Sequence, residues 1–244
     1  VAGITVHNGI IESALSVSRS MIRDPNISGI VGLAFDQPSQ VVPSQPTFLD
    51  LLDPVLDQRV FSVDFRWHNT GRYQFGTIDP GKYLGDITWV PLVDGAQFWE
   101  FEFTRLNIGG SSLWLISSWR AIADTGTTLM LLPKDLVALY YEQVPAATFN
   151  DTLQAWTFPC DTVMPDFHLG FGDGGGWFAT VPGKYINYSP RSEQEPGSTN
   201  CYGGIQDNGG LDFSILGDVF LKAVFAVFDR GGGRIGFADK TLSA

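Results

Sequence analysis

Along most of this chain apolar residues alternate with polar ones or cluster in short runs, and each run ends at turn-forming residues. An alternation of two places every second side chain on one face, so the pattern predicts half-buried β-strands over residues 10–17, 60–65, 73–78, 87–92 and 99–103. Gly-Asp, Asn-Thr-Gly and Asp-Pro-Gly separate these runs and supply the backbone reversals between strands. Near the C-terminus, AVFAVFD and RIGFAD flank RGGG, which reads as a hairpin around a glycine-rich turn. Only two stretches carry helical spacing. A short one over 47–52 follows Pro46. Another over 134–144 follows Pro133 and sets Leu136, Val137, Tyr140, Tyr141 and Val144 on one face. The expected fold class is all-β with few helices.

Composition supports that reading. The chain has 244 residues, enough for one large domain or two small ones, with 44% hydrophobic and 17% charged residues. A net charge of −11 argues against nucleic acid and anionic membranes as partners. A surface rich in carboxylates and poor in lysine sheds charge as pH falls, which suits an acidic medium. No apolar run is long enough to cross a membrane as a helix. Cys160 and Cys201 allow one bridge or two free thiols. Sequons at Asn26, Asn150 and Asn187 point to a secreted glycoprotein. The strand-like start at Val1 leads us to expect that a preceding segment has been removed.

Several patterns exclude chemistry. GFGDGG at 170–175 is followed by WFATVP, a strand-like run rather than the helix a dinucleotide phosphate requires, so it reads as a hairpin turn. GTIDPGK at 76–82 has Tyr83 where a phosphate-binding loop needs Ser or Thr, and it too reads as a turn. His7, His68 and His168 are scattered, without metal-ligand spacing, and are expected at the surface; no metal or cofactor is expected. The chain lacks the G-x-S-x-G of a serine hydrolase.

AIADTGTTLMLL at 121–132 sets an Asp-Thr-Gly between two apolar runs. A carboxylate so placed lies close to a core, where burial without partners is costly. Thr125, Thr127, Thr128 and nearby backbone N–H groups are the available partners, and Gly126 permits a tight turn. A second pattern repeats: SGIVGLAF at 28–35 and FSILGDVF at 213–220 share two apolar residues, a glycine and a further apolar segment. The repeat suggests a duplicated architecture with one half cut short.

ADTGTTLMLLP, followed at a distance by FSILGDVFLKAVFAVFDRGGGRIGFA, resembles the C-terminal lobe of a pepsin-like aspartic protease. SGIVGLAF, YQFGTIDPGKYLGDITWVPL and NCYGGIQDNGGLDFSILGD resemble its secreted fungal branch, of the penicillopepsin and aspergillopepsin kind. The resemblance implies that Asp124 is one of two catalytic aspartates. It implies that Thr125 takes part in hydroxyl cross-bracing between lobes, and that Thr127 bonds the outer oxygen of Asp124. Gly126 and Thr128 would meet the substrate backbone, with Phe98 and Ile30 as subsite walls or plain core. It also implies a Cys160–Cys201 disulfide and a structural, non-catalytic role for Asp218.

The chain departs from the family pattern in having one Asp-Thr-Gly and no recognisable flap. By resemblance, residues 1–88 are the last part of the N-terminal lobe with the interlobe strands, and 89–244 are a complete C-terminal lobe. The family's mechanism holds a water between two carboxylates, one acting as base while the other, protonated, serves as acid. A lone aspartate has no partner for this, so the chain alone is expected to be inactive. The expected function is a portion of a secreted acid endopeptidase that acts on peptides or proteins and binds pepstatin-like inhibitors. Its expected partner is an N-terminal fragment held as a separate chain. The alternatives are a homodimer pairing two Asp124 residues and an inactive peptide-binding module.

Overall fold

The computed structural model describes residues 3–242 apart from 8, 19–20, 23–24, 26, 36–41, 173–175 and 191–196. A short helix α1 (Phe48–Leu52) is capped by Thr47, whose hydroxyl accepts from Asp50 N at 3.2 Å. Strands β1 (Val60–Arg66), β2 (Asn69–Phe75) and β3 (Leu84–Pro91) follow. Next come the long strands β4 (Glu100–Ile108) and β5 (Leu115–Ala123), the short β6 (Met130–Leu132), and helix α2 (Lys134–Tyr141). Strands β7 (Thr148–Asn150), β8 (Ala155–Pro159), β9 (Phe167–Gly170) and β10 (Phe178–Val181) lead to helix α3 (Gly183–Ile186). After it lie β11 (Asn187–Pro190), β12 (Asn200–Gly203), β13 (Ile205–Asp207) and β14 (Ser214–Leu216). Helix α4 (Asp218–Leu221) and the hairpin β15 (Phe225–Asp229) with β16 (Arg234–Asp239) end the chain. The fold is all-β, as the period-two pattern predicts.

Three sheets organise these strands. One has the order β2-β1-β15-β16-β3, a second β10-β9-β4-β5-β14-β6-β13, and a third β11-β12-β8-β7. The first sheet is apolar on both faces. Phe61, Val63 and Phe228 join the main core, while Val60, Phe225 and Val227 form a smaller cluster on the other side. That double burial explains the near-continuous apolar run FAVF of β15. Helix α2 buries Leu136, Val137, Tyr140 and Tyr141, the face its spacing predicts; it ends at Tyr141, with Val144 buried just beyond. Cys160 and Cys201 form a disulfide joining the end of β8 to β12.

Some expectations differ from the structure. The described residues of 10–17 form no strand, and Ile11 and Leu15 are 94% and 100% exposed. A half-buried strand needs a neighbour for its backbone and an apolar layer for its face, and the described residues bring it neither. Of the two copies of the repeated motif, 28–35 carries no strand or helix, whereas the late copy forms β14 and α4. His168 differs too. It is not a surface histidine: it sits half-buried in β9, with Nδ1 sharing a hydrogen bond with Thr180 Oγ1 at 2.9 Å. Burial lowers its pKa, opposed by Asp166. Of the glycine-rich 170–175 stretch, Gly170 ends β9 and 173–175 lie outside the described residues; the next element is strand β10 rather than a helix.

Candidate active site

Asp124 stands at the end of β5, whose last three residues, Ala121, Ile122 and Ala123, are all buried. Strand β14 pairs in parallel with β5, setting Leu216 beside Ala123, and Asp124 N donates to Leu216 O at 3.2 Å. The backbone entering the turn is therefore held in the sheet. Within the turn, Gly126 N donates to Asp124 Oδ1 at 2.8 Å and Thr127 Oγ1 donates to Asp124 Oδ2 at 2.6 Å. Each carboxylate oxygen has one local donor, which orients the group and leaves lone pairs for a ligand.

The late apolar-glycine motif clamps this turn. Gly217 N donates to Leu129 O at 3.2 Å, Asp218 N to Thr127 O at 2.8 Å and Val219 N to Thr128 O at 3.0 Å. A Cβ on Gly217 would collide with the carbonyl of Thr127 and come within 2.5 Å of that of Leu129. The glycine is there because two backbones touch. Asp218 accepts from Lys222 Nζ at 3.1 Å. Burial raises its pKa; Lys222 opposes this, and the charge of Asp124 adds to it.

Asp124, Thr125 and Gly126 line a cavity of about 630 Å³ that is otherwise mostly apolar. Its far wall includes Phe61, Phe75, Trp99 and Phe228, with Phe61 and Phe228 stacked at 4.4 Å. Residues 29–34 form another side, and Trp99 Nε1 donates to Leu33 O at 2.7 Å, tying that segment to the sheet. Ile30 lines the cavity while 83% exposed, and Phe98 lines it at 6.3 Å from the ring of Phe213. Thr128 is exposed and contributes its carbonyl to the clamp rather than a wall to the cavity.

Tyr73 is the cavity residue that sequence reasoning missed. It lines the same cavity as Asp124 and Thr125. Burial raises its pKa, Thr125 opposes the rise, and the charges of Asp218 and Asp124 add to it. The available signal was the β2 alternation, which puts Tyr73 on the same face as Phe75. Among the described residues, no group of three or more His, Cys, Asp or Glu side chains is arranged to hold a metal.

The profile described as "Eukaryotic aspartyl protease" matches residues 1–240. The chain belongs to this family. Aspergillopepsin-1 of Aspergillus fumigatus is 41% identical over 241 residues, a match covering 98% of this chain and 59% of that protein. Penicillopepsin-2 of Penicillium janthinellum is also 41% identical over 241 residues, with the same shares. Aspergillopepsin-1 of Aspergillus oryzae is 40% identical over 239 residues, covering 98% of this chain and 57% of the relative. This family member therefore spans under two thirds of the length of the curated relatives it matches.

Of the sequon asparagines, Asn26 lies outside the described residues. Asn150 Oδ1 accepts from Thr152 N and Leu153 N, at 3.0 and 2.9 Å. Asn187 Nδ2 donates to Cys160 O at 2.9 Å. No helix is long and apolar enough to cross a membrane among the described residues.

Proposed function

We propose that this chain is the Asp124-bearing portion of a secreted acid endopeptidase, in which a water is held between Asp124 and a second aspartate from a complementing segment. The observation that carries the reading is the pre-set carboxylate: Asp124 is gripped by Gly126 N and Thr127 Oγ1 at the edge of an apolar cavity. A carboxylate needed only for structure has no reason to face such a space. In the assembled enzyme one aspartate takes the water's proton while the other, protonated, donates to the scissile carbonyl of a peptide. Gly126 and Thr128 serve the substrate backbone, and Phe98 and Ile30 serve its side chains. Residues 1–88 belong to the N-terminal lobe and interlobe strands, and 89–244 to the C-terminal lobe.

The complementing segment is supported by a second observation. Ile10, Ile11, Leu15, Ile30 and Val31 are all more than half exposed, on the stretch that lacks strand neighbours. Exposed apolar residues in such number mark a surface that another polypeptide covers. Secretion is supported by the disulfide and the sequons.

Native mass spectrometry of the purified protein, combined with hydrolysis of a peptide substrate at acid pH, tests this reading. The expected result is a second polypeptide carrying its own Asp-Thr-Gly or Asp-Ser-Gly, with activity lost in Asp124→Ala. Activity from a lone monomer overturns it. A dimer active without any second species replaces it with the Asp124–Asp124 pairing, and a complex that binds peptides without ever hydrolysing them replaces it with a binding module.

A further inference from the structure

A second cavity, of about 880 Å³, lies between α2, the β7–β8 hairpin and the residues after β13, and shares no residue with the Asp124 cavity. Its lining includes Lys134, Phe149, Gln154, Trp156, Asp207 and Leu211. Two aromatic side chains occur where a surface hollow needs none. Phe149 is 42% exposed on a short edge strand, and its ring meets Trp156 edge-on at 5.9 Å.

Trp156 is rigidly held. Its ring stacks on Tyr141 at 4.8 Å, nearly parallel, and the Tyr141 hydroxyl is anchored on Ile205 O at 2.7 Å. The buried amide of Gln206 grips the Trp156 backbone from both sides, accepting from its N–H at 2.8 Å and donating to its carbonyl at 3.1 Å. A ring fixed at this many points loses little freedom when a ligand binds.

Polar capacity around these rings is unused. Gln154 spends its amide nitrogen on Asp151 O, at 2.6 Å, leaving its oxygen free among the described residues. Asp207 gives Oδ1 to Gly209 N at 2.7 Å, leaving Oδ2 free among them. Neither the Trp156 indole N–H nor the Lys134 ammonium has a partner among the described residues. Lys134, Gln154 and Asp207 thus bring donor and acceptor capacity to the lining of a cavity with an aromatic surface.

We propose that this cavity binds a neutral saccharide. A sugar ring presents a C–H face that packs on aromatic rings and a rim of hydroxyls that both donate and accept, which matches this set of groups. A phosphate or other anion would meet Asp207 against a single lysine, in a chain of net charge −11. A hydrocarbon would make no use of the polar lining that Lys134, Gln154 and Asp207 supply.

Calorimetric titration of the purified protein with chitotetraose, laminaritetraose and mannotetraose tests the site without any need for proteolysis, so its failure is separate from failure of the protease reading. At least one probe should bind at up to millimolar concentration. Phe149→Ala should weaken that binding at least fivefold, and Trp156→Phe, which keeps the stack on Tyr141 and removes the N–H, at least threefold. Phe149 is an exposed edge residue, so its variant stays folded if Trp156→Phe does not. No binding by any of the three sugars, or binding unchanged in the Phe149 variant, overturns the proposal.

Discussion

Thr127 Oγ1 donates to Asp124 Oδ2 at 2.6 Å, and together with Gly126 N on Oδ1 it orients the carboxylate of Asp124. Hydrogen bonds to charged groups contribute about 1.5–3 kcal/mol. In the enzyme assembled with its complementing segment, Thr127→Ala should therefore lower kcat by about ten- to a hundredfold. Thr127→Ser keeps the hydroxyl and should recover most of that rate. Steady-state hydrolysis of a peptide at acid pH provides the comparison, and equal rates for the Ala and Ser variants would remove Thr127 from the site.

The contact between Gly217 and Thr127 is of a different kind, backbone against backbone. Gly217→Ala forces apart the β14–α4 junction and the Asp124 turn, because its Cβ has nowhere to go. Overpacking of a fixed site costs about 1–3 kcal/mol and more where backbone must shift. Urea unfolding should show a loss at the upper end of this range. A variant as stable as the wild type would contradict the clamp.

Lys240 provides a pH test. Its side chain is fully buried, donating to Phe65 O at 2.6 Å and Leu221 O at 3.1 Å, with Asp64 Oδ1 at 3.4 Å. Burial pushes its pKa down to about 8 from an ordinary 10.5; Asp64 partly restores it and Arg66 lowers it further. Below about 8, both folded and unfolded chains hold the proton, and the folded state bears the full cost of the buried charge. Between about 8 and 10.5 the folded protein has lost the proton and the unfolded chain retains it, so stability from this group rises with pH. The gain is about 3 kcal/mol. The stability difference between wild type and Lys240→Met, followed by urea unfolding, should move in favour of wild type by roughly that amount across this window. A difference independent of pH would show that Lys240 does not titrate there.

The disulfide closes a loop with a sequence separation of 41 between Cys160 and Cys201. Chain entropy alone assigns a loop of this size about 4 kcal/mol. Reduction, or the double Cys→Ser variant, should lower the unfolding free energy by an amount of that order. Midpoints unchanged by reductant would mean that the bridge is absent in solution.

Glycan attachment should discriminate between sequons. Asn150 uses only its side-chain oxygen, at the end of β7 beside an exposed turn, while Asn187 has its amide nitrogen bonded to Cys160 O. Peptide mapping after expression in a glycosylating host should find sugar on Asn150 and little on Asn187. The reverse occupancy would refute the argument from geometry.

Most of the strand pattern was legible because a period of two directly encodes a half-buried sheet. The exceptions are instructive. Residues 69–72, Asn-Thr-Gly-Arg, show no apolar alternation and read as a turn, yet they extend β2, because pairing with β1 rewards backbone hydrogen bonds whatever the side chains. Residues 10–17 carry the alternation and form no strand, because no described neighbour supplies those bonds. Asp124 and its threonines were legible as a local motif. Tyr73 was not, since the cavity it shares with Asp124 and Thr125 brings together residues from separate parts of the chain.

The sequence by itself determined an all-β chain with one Asp-Thr-Gly, two cysteines, one amphipathic helix and an acidic surface. These are properties of composition and short-range spacing, which depend on residues a few positions apart. Only the tertiary structure decided that Gly217 lies against Thr127, that Lys240 is buried beside Asp64, and that Trp156 is fixed at the wall of a second cavity. Local pattern says which face of an element is apolar. Which distant element covers that face, and which polar groups are left facing a cavity, depends on how the three sheets pack together.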